Sequence, residues 1–363
     1  MTIASQLPKD YDITIVGKHL PGDEADMKSK EWASPWAAAI WLGTHSHLSS
    51  SREQRLQLES LVGLMDIAEK HPESSVRKIQ IREIMDNGSP EQVWYQHKVP
   101  GFRFLNKDEI PRESKFGMTY ETVVITPPVF LTWMRAKLEK RGVEFKKVSV
   151  GSLAELKGMG HDVLINASGI GSATLTDVQD TKVKPVRLQS CIIKHPAYRQ
   201  AYARRGDNYY TTAFSHLDGE VYVGGIIEYG NDDTNAYDDG RQMVGQDLSM
   251  KIAWLTLSRS LTVSTKTTLL SSLPTTLQPP GSIETMLHGT RHVRLRMGES
   301  GSKDSFWETN KSFMPTVSMR VATHIATGLL GRLPDLCRKS CRTRRFCYQR
   351  FESARLVYIG ASY

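Results

Sequence analysis

Hydrophobic and polar positions alternate clearly in the first two-thirds of the chain. Residues 12–16 (DITIV) interleave polar and β-branched apolar side chains, which predicts a strand. A proline–tryptophan start at residues 34–36 runs into alanines and predicts a helix through Trp41. Residues 51–70 place Leu56, Leu58, Leu61, Leu64, Met65 and Ile67 near helical spacing and predict a second helix. Segments 80–85 and 92–95 have weaker strand patterns, and 120–125 a strong one. Residues 127–141 (PPVFLTWMRAKLEKR) predict a helix stopped by Gly142, followed by a strand at 143–150 and a short helical turn from Ser152. The apolar run at 163–165 predicts a strand that ends at Asn166 and enters a turn of small residues.

Beyond that turn the period changes from helical to alternating. Residues 186–194, 209–214 and 221–227 predict strands, with a hairpin-like turn at 216–219. Gly224-Gly225 marks a close backbone approach. Strands and helices before Asn166, then strands after it, indicate an α/β layer interleaved with an antiparallel sheet. The pattern dissolves from about Met243 onward, and no internal repeat is found.

Composition narrows the class. The chain has 363 residues, 39% hydrophobic and 8% aromatic, enough for two domains with real cores. It has no apolar run of 18 residues, and its first ten residues lack the pattern of a secretory leader. Four cysteines do not suggest a disulfide framework. The net charge of +8 gathers in a tail, CRKSCRTRRFCYQRFESAR at 337–355. Such a tail can attract phosphates. Its cysteines, Cys337, Cys341 and Cys347, match no familiar zinc module, so neither a metal nor a nucleic-acid partner is expected.

The chemistry-bearing segment is N-A-S-G-I-G-S at 166–172, followed by V-x-D-x-x-V-x-P-V-R-x-Q ending at Gln189. Glycines after a strand let the backbone approach a flat or phosphorylated ligand. With YDITIVGKHLPGD…EWASPWAAAIW at 11–41, this segment resembles the D-amino-acid oxidase and D-aspartate oxidase family of FAD enzymes, from about Tyr11 to Asp232. The resemblance implies FAD-dependent oxidative deamination of D-amino acids to 2-oxo acids, with ammonia and hydrogen peroxide released. It implies a D-amino acid and molecular oxygen as partners, no membrane, and a peroxisomal or cytoplasmic location. It places Ser34, Pro35, Trp36, Ala37, Val148, Ala167, Ser168, Gly169, Gly171 and Gln189 at the cofactor. Tyr210, with Tyr209 as its neighbour, falls where the family's substrate-carboxylate tyrosine lies. Ile226-Ile227 stand where fungal members carry a second tyrosine, with Tyr229 two residues late. His45, His47 and His216 are read as surface or loop histidines.

Two departures from the family follow. No G-x-G-x-x-G occurs in the chain, and residues 1–10 correspond to the end of the family's first helix, so the layer lacks its first βα unit and its pyrophosphate turn. Gly17-Lys18-His19 stands where an acidic ribose contact is expected. Losing a central strand should leave its neighbours with bare edges. At the other end, reading residues 313–336 one base earlier permits the family's V-H-A-Y-G motif, with the alanine forced by Met314-Pro315. The tail therefore reads as out of frame from somewhere between Met243 and Arg296, which removes the family's substrate arginine. No targeting tripeptide ends the chain, which closes on Ala361-Ser362-Tyr363. The expected fold is a Rossmann-like FAD layer at 1–50 and 139–193, a substrate domain at 51–138 and 194–285, and an aberrant, poorly ordered region at 286–363. The chain is expected to be inactive. The competing reading is a non-catalytic binding protein with a basic tail.

Overall fold

The structure, a computed structural model, describes residues 1–43, 49–207, 210–235, 287–292, 295–296 and 355–359. Its helices among these are α1 (Thr2–Gln6), α2 (Glu24–Lys28), α3 (Ser51–Lys70) and α4 (Pro127–Glu139). The strands are β1 (Asp12–Gly17), β2 (Arg77–Met85), β3 (Arg103–Phe104), β4 (Phe116–Val124), β5 (Glu144–Lys147), β6 (Val163–Asn166) and β7 (Val183–Lys184). They continue with β8 (Val186–Lys194), β9 (Ala201–Arg205), β10 (Tyr210–Ser215), β11 (Glu220–Tyr229), β12 (Leu287–His292), β13 (Leu295–Arg296) and β14 (Arg355–Ile359).

Two sheets organise the molecule. A parallel sheet has the order β5-β1-β14-β6, and a larger sheet the order β12-β8-β11-β10-β9-β2-β4-β3. Every described pairing in the larger sheet is antiparallel except β2 with β9. This is the α/β layer joined to an antiparallel sheet that the change of period predicts. Residues 163–166 lie in the parallel sheet as expected.

The position between β1 and β6, expected to be empty, is filled. β14 lies between β1 and β6 and runs parallel to both, with Val16 and Asn166 each aligned on Ile359. The expectation of bare edges on β1 and β6 is therefore corrected: a strand from the far end of the chain satisfies both ladders. The segments read as out of frame, 297–303 and 313–336, and Cys337, Cys341 and Cys347, lie outside the described residues, which leaves that expectation without a structural test.

Local chemistry explains most elements. Ser50 and Glu53 form a reciprocal capping box that starts α3 at Ser51. α3 buries Leu56, Gln57, Ser60 and Leu61 against the larger sheet, and Trp41 donates its indole N–H to the Gln57 carbonyl at 3.0 Å. α1 packs Ile3, Ala4 and Leu7 against Ile13 and Ile15 of β1 and Met134 and Leu138 of α4. Arg141 closes α1 by donating to the carbonyls of Ala4, Ser5 and Leu7. The helix expected at 34–41 is only a 3-10 turn over Ser34–Trp36. Ala39 there takes φ of 55°, and Ile40 bridges Val124, so pairing along the edge of β4 wins over alanine's helix propensity. The weak strand at 92–95 is likewise absent; Pro90–Gln92 is a 3-10 turn that feeds Tyr95 into the core.

Candidate functional site

Open parallel sheets bind ligands at the carboxyl ends of their strands. Here that edge gathers Gly17 from β1, Val148 just beyond β5 and Ala167 just beyond β6. The Val148 N–H donates to the Gly17 carbonyl at 2.9 Å, which ties two of these ends together. The Val148 side chain is exposed. After β6, the Ser168 N–H donates to the Asn166 side chain at 3.0 Å, and the Ser168 and Ser172 hydroxyls meet at 3.0 Å. Gly169 adopts φ of 66°, a left-handed conformation that disfavours a side chain, and opens a 3-10 turn over Gly169–Ala173. The small-residue loop is therefore a folded bend at the carboxyl end of β6.

Beside the same edge lies a charged cluster that sequence reading did not find. Asp26, on α2, is buried and accepts from Lys147 Nζ at 2.7 Å, the Leu20 N–H at 2.9 Å and, at 3.1 Å, His19 Nδ1. Burial works against its charge, but these donors hold its carboxyl down, to about 2. His19 also meets Glu31 at 2.6 Å, and Lys18 pairs with Glu31 at 2.7 Å. Gly17-Lys18-His19 is thus not simply a lost acidic contact; carboxylates from the following helix and loop come back to this place. Only the spacing of acids around Asp26 hinted at it.

The Ser34–Ala37 segment lies on another path. Ser34–Trp36 packs against α4, and Trp36 donates its indole N–H to the Ser29 carbonyl at 2.8 Å. The chain then passes the end of β10, where His216 Nε2 meets the Ala38 carbonyl at 3.3 Å. Pro35 is buried, while Ala37 is half-buried.

Tyr210 and Gln189 both stand in the larger sheet, but on opposite faces. Tyr210, Thr212, Gly224 and Ser190 share one face through direct register, and Gln189 is the next residue along β8. Gln189 belongs to a buried cage on its own face. There Arg187 donates to Gln189 Oε1 at 2.9 Å, to the carbonyls of Asp233 and Asn235, and to Glu228. β11 bulges between Gly224 and Ile226; a side chain at Gly224 would sit 2.8 Å from Ser190 Cβ, which explains the glycine there.

Tyr210 opens onto a second unforeseen network. It lies directly across from Arg205 in β9, whose guanidinium sits 4.9 Å from the Tyr210 ring centroid. Arg205 grips Glu83 Oε1 through Nε at 3.1 Å and Nη2 at 2.9 Å. The hydroxyls of Tyr95 and Tyr120 donate to Glu83 Oε2 at 3.0 and 2.8 Å. Glu83 has no solvent exposure. Burial pushes the phenols of Tyr95, Tyr120 and Tyr210 well above their ordinary value. Tyr209, His45 and His47 lie outside the described residues.

The two-sheet arrangement is shared with several solved structures. Glycine oxidase from Geobacillus kaustophilus superposes with a TM-score of 0.59 at 14% identity, over 92% of this chain and 90% of that one. L-proline dehydrogenase from P. horikoshii gives 0.55 at 10% identity, over 89% and 95%. A profile of the FAD dependent oxidoreductase family matches residues 1–249, and the chain belongs to that family. Among its relatives, D-amino-acid oxidase of Fusarium vanettenii is 25% identical over 52% of this chain and 55% of its own length. That of Schizosaccharomyces pombe is 26% identical over 63% and 66%. The chain thus spans about half to two-thirds of these relatives. No described helix is long and apolar enough to cross a membrane, and no described group of side chains could hold a metal ion.

The donor set fits part of a flavin dinucleotide. The tied ends of β1 and β5 and the bend at Gly169 leave backbone close to the ligand edge. A pyrophosphate would need the N–H groups of a helix N-terminus at this edge, and these 363 residues contain no G-x-G-x-x-G turn.

Proposed function

We propose that this protein is a D-amino-acid-oxidase-type flavoprotein whose 363-residue chain holds FAD weakly and does not turn over. The observation that carries the reading is the meeting of Gly17, Val148 and the Gly169 bend at one carboxyl edge, in a chain of the FAD-dependent oxidoreductase family. The reaction assigned to this site type removes hydride from the substrate Cα and a proton from its amino group. Water then converts the imine to a 2-oxo acid and ammonia. When bound, FAD would supply the two-electron acceptor for this oxidation, with oxygen as the final acceptor and hydrogen peroxide as the product.

Val148 and Gly17 border the adenosine end of the site, and Ala167, Ser168, Gly169 and Gly171 the flavin end. Ser34 to Ala37 bring a second wall, held near the larger sheet by His216. Gln189 stiffens the Arg187 cage behind that sheet. Tyr210 is the proposed carboxylate contact, with its ring held over Arg205. A peroxisomal or cytoplasmic location is part of the same proposal.

Weak binding by these 363 residues follows from the lack of a G-x-G-x-x-G turn among them, since a doubly charged group would enter a low-dielectric site with too few partners. Two measurements test the reading: FAD titration by fluorescence quenching, and peroxide release from D-alanine and D-aspartate with FAD added. Saturable, weak binding without peroxide is expected. Turnover on the order of 1–1000 per second would refute the inactivity. Absence of saturable FAD binding, with salt-sensitive retention on nucleic acid, would favour the basic-tail reading instead.

A further inference from the structure

We infer that Arg355–Ile359 is a docking keystone: its insertion between β1 and β6 assembles the ligand-binding edge, so strand docking and ligand binding are coupled. The ligand half of this inference rests on the flavin reading; the docking half does not.

β14 pairs on both sides, as a central parallel strand does. Arg355 to Ile359 pair in unbroken register with Asp12 to Val16 on one side, and Leu356 to Ile359 with Val163 to Asn166 on the other. Without it, β1 would keep only β5 as a partner, and β6 none among the described strands. A one-sided parallel pair and a lone strand are poor structures in water, because parallel strands depend on burial and on both ladders.

The sequence distance is the unusual part. β1 and β6 enclose a slot in the first half of the chain, and the strand that fills it comes from residue 355 onward. The pairing joins positions far apart in sequence, Asp12 with Arg355 and Leu356 with Val163, so docking is a long-range closure. The register also aligns Ile359 with Val16 and Asn166, the residues that lead into Gly17 and Ala167. The spacing between the two halves of the proposed site is therefore set by the inserted strand. A ligand that bridges Gly17 and the Gly169 bend favours the docked state over the undocked one, and by linkage docking favours the ligand.

The test is hydrogen exchange on the full chain and on Val357→Pro, which removes one ladder donor from the middle of β14. Amides of β1 and β6 should exchange roughly tenfold faster or more in the variant, while β2, β4 and β9 keep their protection. Val357→Gly keeps the N–H but weakens the strand, so it should give a smaller loss confined to the same two strands. Added FAD should slow exchange in β1, β6 and β14 of the parent chain but not of Val357→Pro. Unchanged exchange of β1 and β6 in Val357→Pro would overturn the inference. So would a loss in both variants spread evenly over the larger sheet. Loss of protection in Val357→Pro, with no effect of FAD on the parent, would uphold docking and sink the flavin reading.

Discussion

Glu83 carries the most consequential charge in the larger sheet. It has no solvent exposure, yet four donors converge on its two oxygens from Arg205, Tyr95 and Tyr120. A paired buried charge is tolerable; an orphaned one is not. Glu83→Gln leaves the Arg205 guanidinium buried beside a neutral amide and should cost about 3–5 kcal/mol in urea unfolding. The double variant Glu83→Gln, Arg205→Met removes both the charge and its orphan, and should recover most of that loss. If the double variant is as unstable as the single one, the ion pair is not the cause. The tyrosines of this network give a pH signature. Burial raises the folded-state pKa of Tyr95, Tyr120 and Tyr210 above the unfolded value. Their contribution is whole below about pH 10 and is lost as pH rises from there toward the folded values, because the unfolded chain gives up its phenolic protons first. Unfolding midpoints measured from pH 8 to 11 should fall at the alkaline end, and Tyr120→Phe should flatten the fall. A profile that stays level would contradict the burial of these hydroxyls.

At the scale of elements, period and punctuation carried most of the information. α3 begins and ends where its apolar spacing predicts, and β8 matches its predicted span. β10 and β11 shift by one or two residues at their ends. The small-residue loop after β6 was legible because glycine is demanded by its positive φ at residue 169. The helix expected across Ser34–Trp41 failed because alanine propensity is a weak force beside an available sheet edge. β14 was unreadable for a different reason. Its residues follow an arginine-rich tail whose local pattern predicts nothing, and only the empty slot between β1 and β6 gives the segment a structure. Glu83 and Arg205 were equally hidden: each looks like an ordinary strand charge, and 122 residues separate them until β2 and β9 pair. Site residues were visible where they shape the backbone. They were invisible where they act through partners distant in sequence.

The whole molecule poses a competition for one position. Dinucleotide-binding sheets place a strand, a glycine-rich turn and a helix N-terminus in their centre, and the phosphates depend on that helix. This chain places β14 there, which completes the ladder but brings no described helix to the ligand edge. Meanwhile α1 packs against β1 and α4 and is closed by Arg141. An extension of a strand, G-x-G-x-x-G and a helix, joined in front of Met1 and continuous with α1, should enter the slot and expel β14. Covalent continuity with α1 gives it a high effective concentration, whereas β14 must close a far longer loop. FAD affinity should rise by two or more orders of magnitude, on the order of 3 kcal/mol, as the pyrophosphate gains its amides. Amide exchange at residues 355–359 should rise to the rate of an open chain in the same protein. Tight FAD binding with β14 still protected would mean that the two strands do not share a position.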